Sequence, residues 1–184
     1  MSRFPTHSAD TAPEAAKPFL EKAAKAYGFT PNLLATMATA PVMLEAYMTL
    51  AGIFGKTDLS ETERQIILMT NNRLNGCTYC MAAHSTIAEM SGVPAEVIAA
   101  LRDGTAIADP KLEALRQFSI TINETRGWPE PSAIDALVAA GYTSQTALEV
   151  VLGTGLKVLS NYTNHIAETT VDEAFAKNQW ANAA

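Results

Sequence analysis

The sequence predicts an all-α protein, a single-domain helical bundle of about eight helices. Apolar residues recur at helical spacing in one segment after another, no stretch alternates as a strand does, and Gly and Pro fall at segment ends. A length of 184 residues favours one domain. Residues 1–12 are small and polar and are expected to form a flexible arm, leaving 13–184 as the domain.

Each element has a local reason. Pro13 to Tyr27 carries Ala15, Phe19, Leu20, Ala23 and Ala24 on one stripe, with Gly28 as its stop. Phe29 to Leu34 begins another helix with Pro31 in its first turn. Pro41 interrupts the pattern and Val42 to Phe54 resumes it. Ser60-Glu61-Thr62-Glu63 reads as a capping box opening a helix that runs to Leu74. Asn75-Gly76 breaks the chain, and the next helix carries Cys77, Cys80 and His84 up to Gly92. Pro94 to Arg102 is short and is followed by Gly104, and Asp109-Pro110 caps a helix whose face is Leu112, Leu115, Phe118, Ser119 and Ile122. Ser132 to Ala140 ends at Gly141, and Ser144 opens a long helix through His165. Gly153 and Gly155 inside it predict close helix contact. The tail from Val171 to Trp180 is expected to be helical. Met37, Met43, Met48, Met69, Met81 and Met90 read as core.

Composition excludes several classes. Net charge is −6, from 13 basic and 19 acidic residues without a basic cluster, so no nucleic-acid partner is expected. No apolar run reaches the ~20 residues of a membrane span. The opening stretch Met1 to His7 lacks the apolar core of a signal peptide, and a cytoplasmic, reducing location is expected. Hydrophobic residues make up 48% and charged residues only 17%, which fits either a surface hidden by oligomerisation or an Ala-rich helical protein.

The two cysteines sit together as Cys77-Thr78-Tyr79-Cys80. Random placement would give that spacing in about one sequence in a hundred. Two cysteines cannot staple a secreted module, build a four-cysteine zinc site or hold an iron–sulfur cluster alone. On a helix, Cys80 lies about 60° and His84 about 20° around from Cys77, so the three share a face. Rise then separates them: His84 is one turn, about 6 Å, beyond Cys80 but about 10 Å beyond Cys77. His84 can therefore serve Cys80 as a base, with Cys77 placed to resolve what forms there. No Lys or Arg lies between Arg73 and Glu89, which leaves the helix N-terminus and His84 as the local sources of thiolate stabilisation. The chemistry is thiolate attack on a peroxide, condensation of the sulfenic acid to a disulfide, and reduction by an external dithiol. Inert buried cysteines beside a core histidine are the plain alternative.

The run Asn75-Gly76-Cys77-Thr78-Tyr79-Cys80-Met81-Ala82-Ala83-His84 resembles the CxxCxxxH motif of the carboxymuconolactone decarboxylase-like family, and within it the AhpD-like alkylhydroperoxidases and peroxidase-related proteins. The similarity spans about residues 30–170 and is specific from about 59 to 92. The resemblance implies an AhpD-type all-α fold in a trimer or hexamer, with Cys80 as the peroxide-reactive thiol, Cys77 as its disulfide partner and His84 in a proton relay. Gln65, His165 and Tyr79 are supporting residues. It implies a hydroperoxide substrate and a dithiol reductant of lipoyl or thioredoxin-like type, with no cofactor beyond the cysteine pair. One departure stands out. The family's relay often has a glutamate twelve residues before the first cysteine, and here that position is Gln65, which hydrogen-bonds but cannot take a proton. Glu63, the nearest carboxylate, stands two residues off on a different face of the helix and is engaged in the capping box. Gln65 is thus either part of the site or a surface polar residue. His165, with Asn161 and Tyr162, forms one polar patch that either completes the pocket or is a core or interface histidine. Four other readings remain open: a metal held by Cys77, Cys80, His84 and His165 or water, a non-catalytic helical oligomer, a disulfide reductase with weak peroxidase activity, and decarboxylase or lactone chemistry. Three ligands spread along one helix make a tetrahedral metal site hard to close.

Overall fold

The structure, a computed structural model, describes residues 3–181, and Met1, Ser2 and residues 182–184 lie outside it. Among the described residues there are nine α-helices and two short 3-10 turns and no strand, which confirms the all-α reading. The helices are α1 (Lys17–Tyr27), α2 (Asn32–Met37), α3 (Pro41–Phe54), α4 (Glu61–Leu74), α5 (Thr78–Met90), α6 (Ala95–Asp103), α7 (Pro110–Glu124), α8 (Pro131–Ala139) and α9 (Ser144–Ala167).

The local signals explain most boundaries. Pro18 and Pro41 sit in the first turns of α1 and α3, where a missing N–H costs nothing. The capping box closes on α4: Ser60 accepts from the Glu63 backbone while Glu63 accepts from the Ser60 N–H. Asp109 accepts from Lys111 and Leu112 at the start of α7. Gly28 ends α1 in the left-handed conformation that glycine adopts without strain.

Four expectations are corrected. Residues 3–12 do not hang free. The His7 N–H donates to Ala35, its ring meets Thr39, and Ala12 is buried in the core. The tail is a 3-10 turn at Glu173–Asn178 rather than an α-helix. Met90, expected in the core, is 83% exposed at the end of α5. The two glycines of α9 also differ. A Cβ on Gly153 would lie 2.7 Å from Ile67 and 2.9 Å from Phe54, whereas one on Gly155 would meet nothing within 4 Å.

That contrast sets opposite signs. Gly153→Ala is expected to destabilise the fold by about 1–3 kcal/mol through overpacking, which outweighs the ~1 kcal/mol of recovered helix propensity. Gly155→Ala is expected to stabilise it by up to about 1 kcal/mol. Chemical denaturation of the two variants checks both.

The buried side chains form two clusters, and α5 lies between them. Met81 and Ala88 belong to the cluster built on α4, α6, α7 and α9. Cys77, Tyr79, Cys80, Ala82 and Ala83 belong to the one built on α1, α2 and the Glu14–Ala16 turn. The cysteine pair therefore sits on a seam where α5 meets α9 and α4.

Candidate active site

Cys77 is the N-cap of α5, in extended conformation, and Cys80 lies in the first turn. Gly76, with φ 65°, permits the reversal from α4 into α5. Both thiols are free and buried. The pair is asymmetric. Burial pushes the Cys80 thiol up, but a hydrogen bond from the Cys77 thiol, the charge of Lys157 and hydrogen bonds from Ser160 and Asn161 outweigh it and bring the thiol down to about 5. Cys77 moves the other way, raised by donating that hydrogen bond and by burial. Cys80 thus carries the thiolate and Cys77 the proton.

The partners of the thiols come from α9. Asn164 points its Nδ2 at both sulfurs, 3.2 Å from Cys80 Sγ and 3.7 Å from Cys77 Sγ. Asn161 donates to Asn72, whose own amide donates to the Cys80 carbonyl. Asn75 donates to Asn161 and accepts from Asn123, which also reaches Asn71. This amide network ties α4, α7 and α9 to the cysteine turn.

Lys157 is the residue that sequence reasoning missed. It is 1% exposed, and its Nζ lies 2.9 Å from His84 Nε2. The other ring nitrogen, Nδ1, lies 2.9 Å from Gln65 Oε1. Gln65 Nε2 donates to Glu61 at 2.7 Å, and Arg64 fixes Glu61 through an ion pair at 2.9 Å. A carboxylate only accepts, so the Gln65 amide is oriented with its oxygen toward the imidazole. His84 therefore carries its proton on Nδ1 and accepts from Lys157 at Nε2. Burial and the Lys157 charge both hold the His84 pKa well below the usual value, and the ring is neutral.

Gln65 is accordingly a buried site residue, 3% exposed, and its carboxylate partner is Glu61 rather than Glu63. The expected contact of His84 with Cys80 is replaced by hydrogen bonds to Gln65 and Lys157. Tyr79 is buried, donates to Asp172 at 2.6 Å and accepts from the Leu33 N–H, while Asp172 receives the Asn32 N–H at the head of α2. It clamps the chain around the site. The expected polar patch of α9 is split: Asn161 faces inward, whereas Tyr162 and His165 stack on each other on the outer face. The signal for Lys157 was in the sequence. Lys157, Asn161 and Asn164 stand at i, i+4 and i+7, one inward face of α9.

A cavity of about 240 Å³ opens at Cys80, bordered by the polar Gln65, His84 and Lys157 and by Leu33, Tyr47 and Phe175. No cluster of three or more His, Cys, Asp or Glu side chains among the described residues is placed to hold a metal. No described helix is long and apolar enough to cross a membrane.

The site also sets a pH dependence. The thiolate is the reactive form, so a depressed pKa keeps Cys80 reactive above it. Alkylation of Cys80 by iodoacetamide is expected to rise as pH is raised through about 5 and to level off above that, where an ordinary thiol would rise near 8.5. Peptide mapping of the labelled protein across pH reads the midpoint.

An all-helical bundle with a buried, polarised cysteine pair and an AhpD-like fold defines the class. Over residues 41–119, from α3 into α7, the chain matches the carboxymuconolactone decarboxylase family, which confirms the resemblance drawn from the motif over a shorter span than the 30–170 expected. Solved structures agree in fold. An uncharacterized peroxidase-related protein from Ralstonia eutropha JMP134, with an alkylhydroperoxidase AhpD core, is 21% identical with a TM-score of 0.85, covering 95% of this chain and 94% of that one. A peroxidase-related protein from Silicibacter sp. TM1040 is 20% identical with a TM-score of 0.79, covering 94% and 92%. The debrominase Bmp8, as a cysteine-to-alanine variant in complex with 2,3,4-tribromopyrrole, is 19% identical with a TM-score of 0.79, covering 97% of each. At these identities the likeness is one of fold. No curated protein matches the chain.

Proposed function

We propose that the protein is a thiol-dependent peroxidase whose Cys77–Cys80 pair cycles between dithiol and disulfide. The observation that carries this reading is Cys80 on the wall of the cavity, its thiol brought down to about 5 beside Lys157. The Cys80 thiolate attacks the distal oxygen of a hydroperoxide, the O–O bond breaks, and the departing alkoxide takes a proton from Lys157. The Cys77 thiol then attacks the Cys80 sulfenic acid. Its proton leaves with the hydroxyl as water, and a disulfide forms. One hydroperoxide is reduced to alcohol and water, and two thiols are oxidised. An external dithiol returns both electrons. Gln65 replaces a proton-taking carboxylate without breaking the scheme, because it orients His84 and His84 positions Lys157. The cavity is walled by Leu, Tyr and Phe side chains and is wider than hydrogen peroxide needs, which favours an organic hydroperoxide.

The test is a thiol count on the native protein. A stoichiometric organic hydroperoxide is expected to remove two free thiols, dithiol addition to restore them, and turnover to require both reagents. Persistence of both thiols would sink the reading.

The same apolar cavity favours one second reading, reductive removal of halogen from an aromatic ring, which also consumes two thiols and gives a disulfide. Bromide release from a bromopyrrole, measured beside peroxide consumption, separates the two. A homo-oligomer belongs to the first reading, with the exposed Leu148, Val151, Tyr162 and Ile166 of α9 as the face a second copy covers, and sedimentation measures it.

A further inference from the structure

The cysteine pair borders two openings. Cys80 lines the apolar cavity already described, whereas Cys77 lines a second opening of about 310 Å³ at the N-terminus of α5, bordered by Gly76, Thr78, Asn164, Glu168 and Thr169, with Tyr79 in the wall between the two. Two polar atoms around this second opening have no partner. Asn164 Oδ1 and Thr169 Oγ1 are buried without a hydrogen bond, and Asn164 is 5% exposed. A buried orphan acceptor costs about 1–3 kcal/mol, so it marks a place where a ligand completes the structure. The Asn164 amide cannot turn to relieve itself, because its Nδ2 holds both sulfurs. The wall beside it is the left-handed turn after α9, where Glu168 has φ 51°.

The chemistry of the two atoms is complementary to the backbone N–H and C=O of one residue. Asn164 Oδ1 only accepts, so it calls for an N–H. Thr169 Oγ1 can donate to a carbonyl. The N–H must also stand close to the reacting sulfur, since Asn164 itself touches Cys77. A cysteine residue meets that condition, because its backbone N–H lies next to its own thiol. A long-chain dithiol, whose amide lies several carbons away, does not.

We propose that the opening beside Cys77 is the docking subsite for the reducing thiol, that this thiol is cysteinyl, and that its backbone N–H and C=O take Asn164 Oδ1 and Thr169 Oγ1. This rests on the disulfide cycle proposed above. The incoming thiolate attacks Cys77 Sγ, a mixed disulfide forms and the Cys77–Cys80 bond breaks. Cys80 leaves as the thiolate that Asn164 and Lys157 hold. A second thiolate then attacks the sulfur of the reductant in that mixed disulfide, and Cys77 departs and regains its proton. Two cysteinyl thiols become one disulfide, and their two electrons reduce the enzyme. Substrate and reductant thus reach the sulfur pair through different openings, one at each sulfur.

The test starts from the wild-type protein oxidised with diamide, so that a failure to reduce peroxides leaves it untouched. Reduction is timed with N-acetylcysteinamide and with 3-mercaptopropanamide, which lacks the α-N–H, both corrected for thiol pKa. The cysteinyl thiol is expected to react about tenfold faster. Thr169→Val is expected to slow both of these thiols several-fold, since both carry the carbonyl, while leaving the rate of ethanethiol, which has neither an amide N–H nor a carbonyl, unchanged. Acid quenching and peptide mapping are expected to find the mixed disulfide on Cys77. Equal rates for the two thiols would show that the orphan atoms hold only water, and an adduct on Cys80 would place the reductant in the substrate cavity. Either result overturns the proposal.

Discussion

Cys80→Ser is expected to reduce peroxide consumption to the rate seen without protein. A hydroxyl at this position cannot become the anion that Lys157 and Asn164 stabilise, and an alcohol is not oxidised by a hydroperoxide. Cys77→Ser is expected to behave differently. Its Cys80 still reacts once, so the variant shows a burst of one equivalent and then stops, with a sulfenic acid that dimedone traps. The two variants together assign the roles, since a resolving thiol can be lost without losing the first step. Continued turnover by Cys80→Ser, or a burst in that variant but not in Cys77→Ser, would reverse or remove the assignment.

Lys157→Met is expected to move activity and stability in opposite directions. The ammonium is buried, and its neighbours are an imidazole nitrogen and the Cys80 thiolate rather than a carboxylate. Removing it takes away one of the influences that hold the Cys80 pKa down as well as the proton donor to the leaving alkoxide, and each unit past the working pH cuts the thiolate fraction tenfold. Turnover at neutral pH is expected to fall about 100-fold, with the alkylation midpoint displaced upward. Replacing a buried charge with an apolar chain of similar length is expected to stabilise the fold by about 1–3 kcal/mol. Thermal unfolding read beside the alkylation profile checks both signs. A variant less stable than wild type, with an unmoved midpoint, would mean that Lys157 serves packing alone.

The helices were legible because their ends are written locally. Ser60 and Glu63, Asp109, Pro41 and Gly28 each act within a few residues, and each does in the structure what its spacing implies. The cysteine pair was legible for the same reason. The relay was not, because it depends on which faces of distant helices meet. His84 looked like the partner of Cys80 along α5, but Gln65 and Lys157 approach from α4 and α9 and take both ring nitrogens. Glu61 escaped notice beside Glu63 because one capping box does not tell where the neighbouring side chain turns. Asn164 gave no signal as a single residue. Only the stripe it shares with Lys157 and Asn161 on an apolar helix marks it. The polar composition of residues 3–12 hides one backbone hydrogen bond, from His7 to Ala35 of α2, and one side-chain contact, from His7 to Thr39 just beyond that helix.

The dependence of α5 on α9 also bears on biosynthesis. The thiols lie at 77 and 80, while the lysine and the amide that polarise them lie at 157 and 164. A growing chain therefore carries two ordinary thiols until α9 has been made and has docked. Closing so long a loop belongs to the late, non-local part of folding. The reactive thiolate is thus withheld until the bundle around it is complete, and its appearance during refolding gives an internal clock for the arrival of the last long helix.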